Sequence, residues 1–260
     1  MSKLPIHLLA RCLILLLMGS FFSTKAQVSQ AFTARDLIQL NRVSDPHISP
    51  DGKNLAFTMR ETDLEANRGR TDIWILNLDS AQDVPRRLAA HPTDDSAPRW
   101  APDSSGIFFL STRSGSSQVW FLPINSPDAQ PVTALPLDVG SYKLSPKGDR
   151  IVVSLEVFPE CATLDCTAEK LSKNTRSKET GQVYDHLFVC HLDTWNDGQL
   201  SQLFSAPLDA EKRAGAMTPL SGKIRANVPS KPFGGDEEFA FSPDGSRLVF
   251  AARLTNHEEP

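Results

Sequence analysis

Ser49-Pro50-Asp51-Gly52, followed by Lys53-Asn54-Leu55-Ala56-Phe57, reads as a tight turn opening onto a β-forming run. Proline presets φ at the second turn position, the Asp side chain bonds the local backbone, and Gly supplies φ > 0. The unit returns as Ala101-Pro102-Asp103-Ser104-Ser105-Gly106 before Ile107-Phe108-Phe109-Leu110, and as Ser145-Pro146-Lys147-Gly148 before Arg150-Ile151-Val152-Val153. A fourth copy, Ser242-Pro243-Asp244-Gly245, precedes Arg247-Leu248-Val249-Phe250. The copies begin at 49, 101, 145 and 242, in steps of 52, 44 and 97. A period of about 40–50 residues with several strands per repeat is the signature of a propeller blade.

The last step spans two periods. It is either a missed repeat or one blade with an insertion. Pro159–Gly181 is polar and rich in Lys, Thr and Ser, with helical character from Thr167 to about Ser177, which favours the insertion. Blades are expected over 42–92, 93–137, 138–210 (insertion 159–182) and 228–260, the last incomplete. In the third blade the β-forming run Val183–Asp193 is expected as the third strand and Leu200–Phe204 as the fourth. Trp74 and Trp120 occupy the same repeat position, a place for core between blades. Ahead of the first blade, 27–41 is an entry segment with a short helix over Ala31–Leu40, capped by Thr33. The expected fold is all-β: an incomplete propeller of about three and a half four-stranded blades with a short helical insertion.

Residues 1–26 read differently. Lys3 and Arg11 precede an apolar run from Cys12 to Phe22, then Ser23-Thr24-Lys25-Ala26. That is the pattern of a secretory signal peptide cleaved after Ala26. The run falls short of the ~20 residues of a comfortable span, and an uncleaved anchor is the other reading. The chain is expected to be exported, periplasmic or secreted, with no membrane partner after cleavage. Without Lys3, Arg11 and Lys25, 24 bases face 31 acids, a net charge of about −7. Such a chain, with no basic stripe, gives no reason to expect nucleic acid as a partner.

Among ligand-forming residues, Cys161 and Cys166 share one irregular segment, and export permits a disulfide between them; two free thiols are the other reading. Cys190, in a strand-like run, reads as a buried apolar residue. Asp185, His186, His191 and Asp193 look like a metal cluster, but 186 and 191 differ by an odd number and fall on opposite faces of a strand. No metal and no cofactor is expected, since no phosphate-binding glycine loop occurs either. His47 reads as a strand-edge residue; His91 and His257 lie in loops.

Three stretches carry a resemblance: "FTARDLIQLNRVSDPHISPDGKNLAF" (32–57), "CATLDCTAEK" with "ETGQVYDHLFVCHLDTW" (161–170 and 179–195), and "VPSKPFGGDEEFAFSPDG" (228–245). Together they resemble the propeller part of prolyl oligopeptidase family serine peptidases, in the bacterial dipeptidyl-peptidase and acylaminoacyl-peptidase-like branch. The resemblance implies a propeller that restricts entry of oligopeptides to a C-terminal α/β-hydrolase domain. It also implies that Glu237 and Glu238, before the fourth blade, hold a substrate's free amine; a solvated acidic loop is the other reading. No Gly-x-Ser-x-Gly elbow occurs, so no catalytic residue is assigned and the chain alone is expected to be inactive. The other function class is a TolB-like protein-binding propeller. An open propeller edge would offer a partner unpaired strand groups.

Overall fold

The computed structural model describes residues 31–88, 91–178, 181, 190–191, 194–195 and 197–254. Helix α1, Ala34–Gln39, starts at a reciprocal cap. The Asp36 carboxylate accepts from Thr33 N and Oγ1, and Thr33 Oγ1 accepts from Asp36 N, as in a capping box.

From Gln39 onward the chain forms one compact unit of antiparallel sheets. The first sheet is β1 (Arg42–Ile48), β2 (Asn54–Asp63), β3 (Arg68–Asn77) and β4 (Arg86–Arg87), in that order. The second repeats it with β5 (Asp95–Trp100), β6 (Gly106–Ser111), β7 (Gln118–Pro123) and β8 (Gln130–Pro131). The third is β9 (Val139–Leu144), β10 (Arg150–Val157), β13 (Leu200–Pro207) and β14 (Thr218–Pro219). The fourth has two strands among the described residues, β15 (Phe239–Phe241) and β16 (Leu248–Phe250). Between β10 and β13 lie α2 (Leu164–Arg176) and the small hairpin β11 (Cys190–His191) with β12 (Thr194–Trp195).

The repeated turns form as their chemistry dictates. Ser49 Oγ donates to Asp51 Oδ1 and accepts from Asn54 N, while Gly52 N reaches Ser49 O. Ser145 and Ser242 repeat this with Asp149 and Asp244. The second copy has Ala101 in place of the hydroxyl, and Ser104 takes the positive φ that Gly52, Gly148 and Gly245 take elsewhere. Neighbouring turns also touch. Asp51 N donates to Ser104 Oγ, and Pro102 Cδ comes to 3.2 Å from where a Cβ of Gly148 would stand.

Between sheets lies the core. Ala56, Ile75, Trp100 and Ile107 join the first sheet to the second, as do Ile73, Phe109 and Leu122. Phe108, Val119, Tyr142, Ile151 and Val153 join the second to the third. Val152, Leu203, Val228 and Phe239 join the third to the fourth. Burial of each such side chain is worth about 1.5–3 kcal/mol, so the stack is held by apolar contact between blades. Trp120 packs into this core; Trp74 lies outside these clusters, with the Arg87 guanidinium 5.4 Å from its ring centroid.

The third sheet corrects the expected strand assignment. Leu200–Pro207 pairs along its whole length with Arg150–Val157 and is the third strand, not the fourth; Thr218–Pro219 is the fourth. The expected strand over 183–193 falls mostly outside the described residues. The physical reason is a glutamine anchor. Gln118, at the start of β7, accepts at Oε1 from Thr133 Oγ1 and Leu135 N and donates to Leu135 O and Leu137 O. Gln202, near the start of β13, accepts from Ser221 Oγ and donates to Ile224 O and Ala226 O. Each buried amide satisfies the connector leading to the next blade, so Gln202 marks the third strand as Gln118 does.

Helix α2 starts at Thr163, whose Oγ1 accepts from Cys166 N. Its buried Thr167 accepts at Oγ1 from Phe158 N, and Lys170 pairs with Glu160. Cys161 and Cys166 are joined by a disulfide, with Cα atoms 5.5 Å apart.

Candidate functional site

The first strands of the first and second sheets carry the same local device. In β1 the register slips between Ser44 and His47, and in β5 between Ser96 and Arg99. Asp45 and Ala97 stand at these bulges with φ of 51° and 52°, each before a proline. A bulge re-aims the side chains beside it. The residues two before each repeated turn are His47, Arg99, Lys143 and Ala240. In three of the four copies that position carries a nitrogen group.

Arg99 is the centre of the resulting cluster. Its Nη1 donates to Asp45 Oδ2 at 2.8 Å and to Pro98 O at 2.8 Å, and lies 2.7 Å from His47 Nε2. Its Nη2 donates to Asp236 Oδ2 at 2.9 Å, across 137 residues of sequence. His47 Nε2 is also 2.8 Å from Asp45 Oδ1. Lys143 Nζ lies 3.8 Å from the same Asp236 oxygen and 5.6 Å from the centroid of the Phe239 ring. One guanidinium thus ties a carboxylate of the first sheet to one at the entry of the fourth. Burial works against the charged Asp45, but hydrogen bonds from His47 and Arg99 outweigh it and hold its carboxyl below the usual range. Burial also works against charged Arg99, and its bonds to Asp236 and Asp45 outweigh that, raising it.

Asp236, Glu237 and Glu238 form one 3₁₀ turn before β15. The two glutamates do not stand alike. Glu238 is tied down: its carboxylate accepts from Ser230 N at 2.7 Å and Ser230 Oγ at 2.5 Å, which lowers its pKa. Glu237 is exposed, and its Oε2 lies 2.6 Å from where a Cβ of Gly235 would stand. Gly234 and Gly235 line a pocket of about 410 Å³ with Ser141, Ser154, Glu156 and Lys231. Lys231 Nζ pairs with Glu156 Oε1 at 3.0 Å at this pocket. A larger cavity of about 1070 Å³ lies beside the insertion, between Phe158, Cys161, Leu164, Phe204 and Met217.

The sequence singled out Glu237 and Glu238 but not the carboxylate beside them that makes the long-range contact. It read His47 as a strand-edge residue, which holds, since β1 is the edge of its sheet, but it did not connect His47 with Arg99. The available signal was the recurrence of His47, Arg99 and Lys143 two residues before successive turns. Asp185, His186, Asp193 and His257 lie outside the described residues. Among the described residues no group of three metal-ligating side chains occurs.

Comparison with known proteins places this geometry. A profile of the TolB beta propeller domain, PD40, matches residues 34–177, more than half of the chain. An uncharacterized peptidase, YuxL, of Bacillus subtilis is 27% identical over 233 residues, covering 89% of this chain and 33% of its own. Dipeptidyl-peptidase 5 of Porphyromonas gingivalis is 23% identical over 240 residues, covering 89% and 32%. The chain therefore spans about a third of the length of these curated relatives. An acylaminoacyl peptidase structure from Pyrococcus horikoshii superposes with a TM-score of 0.50 at 17% identity, over 70% of this chain and 26% of that one. The repeated turns, the four-stranded sheets stacked blade on blade, and the profile match converge: the chain belongs to the TolB β-propeller domain family, PD40.

Proposed function

We propose that this chain is the N-terminal propeller portion of an exported serine peptidase of the dipeptidyl- or acylaminoacyl-peptidase kind. In this reading it restricts the entry of oligopeptides to a hydrolase domain elsewhere in the polypeptide. The observation that carries the reading is the peptidase likeness over 89% of this chain at 33% of the relative's length. That proportion leaves room for further blades and a hydrolase domain of ordinary size. Within this reading Glu237 supplies the carboxylate for a substrate's free amine, a pairing suited to charge-assisted hydrogen bonds. Glu238, already bonded to Ser230, shapes the turn that presents it.

The test is the native gene product, probed in source cells with antibody against residues 27–260 and with a fluorophosphonate that labels active serines. A labelled band of about 70–80 kDa is expected. An unlabelled band no larger than the 28.6 kDa of this chain overturns the reading. That second outcome would support a non-catalytic propeller that docks another protein, which the TolB description of the matched family favours.

A further inference from the structure

We infer that Arg99 is the positioning residue of the carboxylate turn Asp236–Glu238, and that through Asp236 it sets selectivity for a free amino terminus without touching the peptide. The inference rests on the reading of Glu237 as the amine-holding group.

The loop from Ser230 to Glu238 is pinned at three places. Its ends close on each other through Glu238 and Ser230. Lys231 ties it to the third sheet, at Glu156 Oε1 and at Gln199 O. Phe239, which follows it, packs on Val152 and Leu203 of the same sheet. Asp236 reaches further, to Arg99 on the second sheet. These first contacts fix the loop relative to the third sheet; the Asp236–Arg99 pair fixes its inner end relative to the first and second.

Arg99 is suited to that task because its own geometry is set beforehand. One side of the guanidinium is occupied by Asp45 and Pro98 O, so the other side is held pointing at Asp236. A planar fork can bond two carboxylates in fixed directions; an ammonium is a point charge on a flexible stem. The side chain is 17% exposed, so solvent screens the pair less than at an open surface. Movement of Asp236 is passed directly to its neighbour. Glu237 folds back over Gly235, where the missing Cβ leaves room, and Gly235 lines the 410 Å³ pocket. Displacing the turn therefore displaces Glu237 from its place over Gly235.

The experiment uses the native full-length gene product and two dipeptidyl reporter amides, one with a free and one with an acetylated amino terminus. The readout is the ratio of kcat/KM for the two, with kcat and KM resolved. Arg99→Met and Asp236→Asn are each expected to lower the free-to-blocked ratio about tenfold, mainly through KM, the scale of one charge-assisted hydrogen bond. The double variant is expected to lose no more than either single one, and Arg99→Lys to recover part of the loss. A wild-type ratio in Arg99→Met and Asp236→Asn, with the ratio abolished in Glu237→Gln, overturns the positioning role while the amine reading stands. A wild-type ratio in Glu237→Gln overturns both. Should Arg99→Met fail to fold, Asp236→Asn, an isosteric change on a half-buried turn, decides the matter.

Discussion

At the scale of single residues, the glutamine anchors do what backbone pairing cannot. The connector after β13 turns away from the sheet, and its carbonyls at Ile224 and Ala226 would be stranded without the Gln202 amide. Gln202→Ala leaves those carbonyls without partners inside the protein, and leaves the Ser221 hydroxyl, which still accepts from Leu203 N, without an acceptor for its proton. The expected cost is about 1–3 kcal/mol for each buried group left unsatisfied, read as a lower urea midpoint at unchanged slope. Gln82→Ala, in an exposed turn, is the control and is expected to leave the midpoint in place. Gly148 is a second sensitive residue, for two reasons together: φ is +69° and Pro102 stands 3.2 Å from the Cβ position. Gly148→Ala should cost about 1–2 kcal/mol. Gly115→Ala shares the positive φ without a neighbour and should cost less in the same urea titration. Equal losses would remove the contact with Pro102 from the account.

At the scale of elements, the repeated turn was legible in the sequence because its chemistry is local: Pro, Asp and Gly act on the backbone within four residues. The same locality predicts an acid response. Hydroxyl donors lower the carboxyls of Asp51, Asp103, Asp149 and Asp244, the last to about 2. A carboxyl lowered on folding adds stability above its unfolded pKa of about 4, and that stability is lost as pH falls through the folded value. Asp72 and Asp95, raised chiefly by burial, act in the opposite sense and favour the fold as they protonate. The thermal midpoint should therefore fall from pH 5 to pH 3, less steeply in Ser49→Ala, which loses the Asp51 bond, and more steeply in Asp72→Asn. A slope unchanged by Ser49→Ala would show that these turns do not set the response. What the sequence hid were elements fixed at a distance. The run Val183–Asp193 satisfied every local rule for a strand and displaced Leu200–Pro207 from its place in the reading. The correct signal, Gln202 followed by Ser221 as Gln118 is followed by Thr133, works through a hydrogen bond across 19 residues. Asp236 was hidden in the same way: a run of three acids reads as one solvated patch, and only the fold brings Arg99 to one of them.

At the scale of the whole molecule, each sheet is stabilised by its neighbours, so the faces at either end of the stack behave differently from those within it. Strand β6, inside the stack, buries five of its six residues. At the fourth sheet, β16 pairs only with β15 among the described residues, and Val249 on it is 69% exposed. At the first sheet, Val43 on β1 is 62% exposed. An exposed apolar strand with unpaired backbone groups is a template for association with another chain. The 260-residue chain, purified by itself, is therefore expected to self-associate as its concentration rises. Val249→Lys should oppose this by placing a charge on the edge hairpin, as natural edge strands do. Sedimentation velocity over a hundredfold range of concentration checks it. A wild-type chain that remains a monomer throughout would mean that the fourth sheet is protected as it stands. Association that Val249→Lys leaves unchanged would place the contact elsewhere, with Val43→Lys as the next variant. Association relieved by Val249→Lys would identify the β15–β16 hairpin as the surface through which the chain associates.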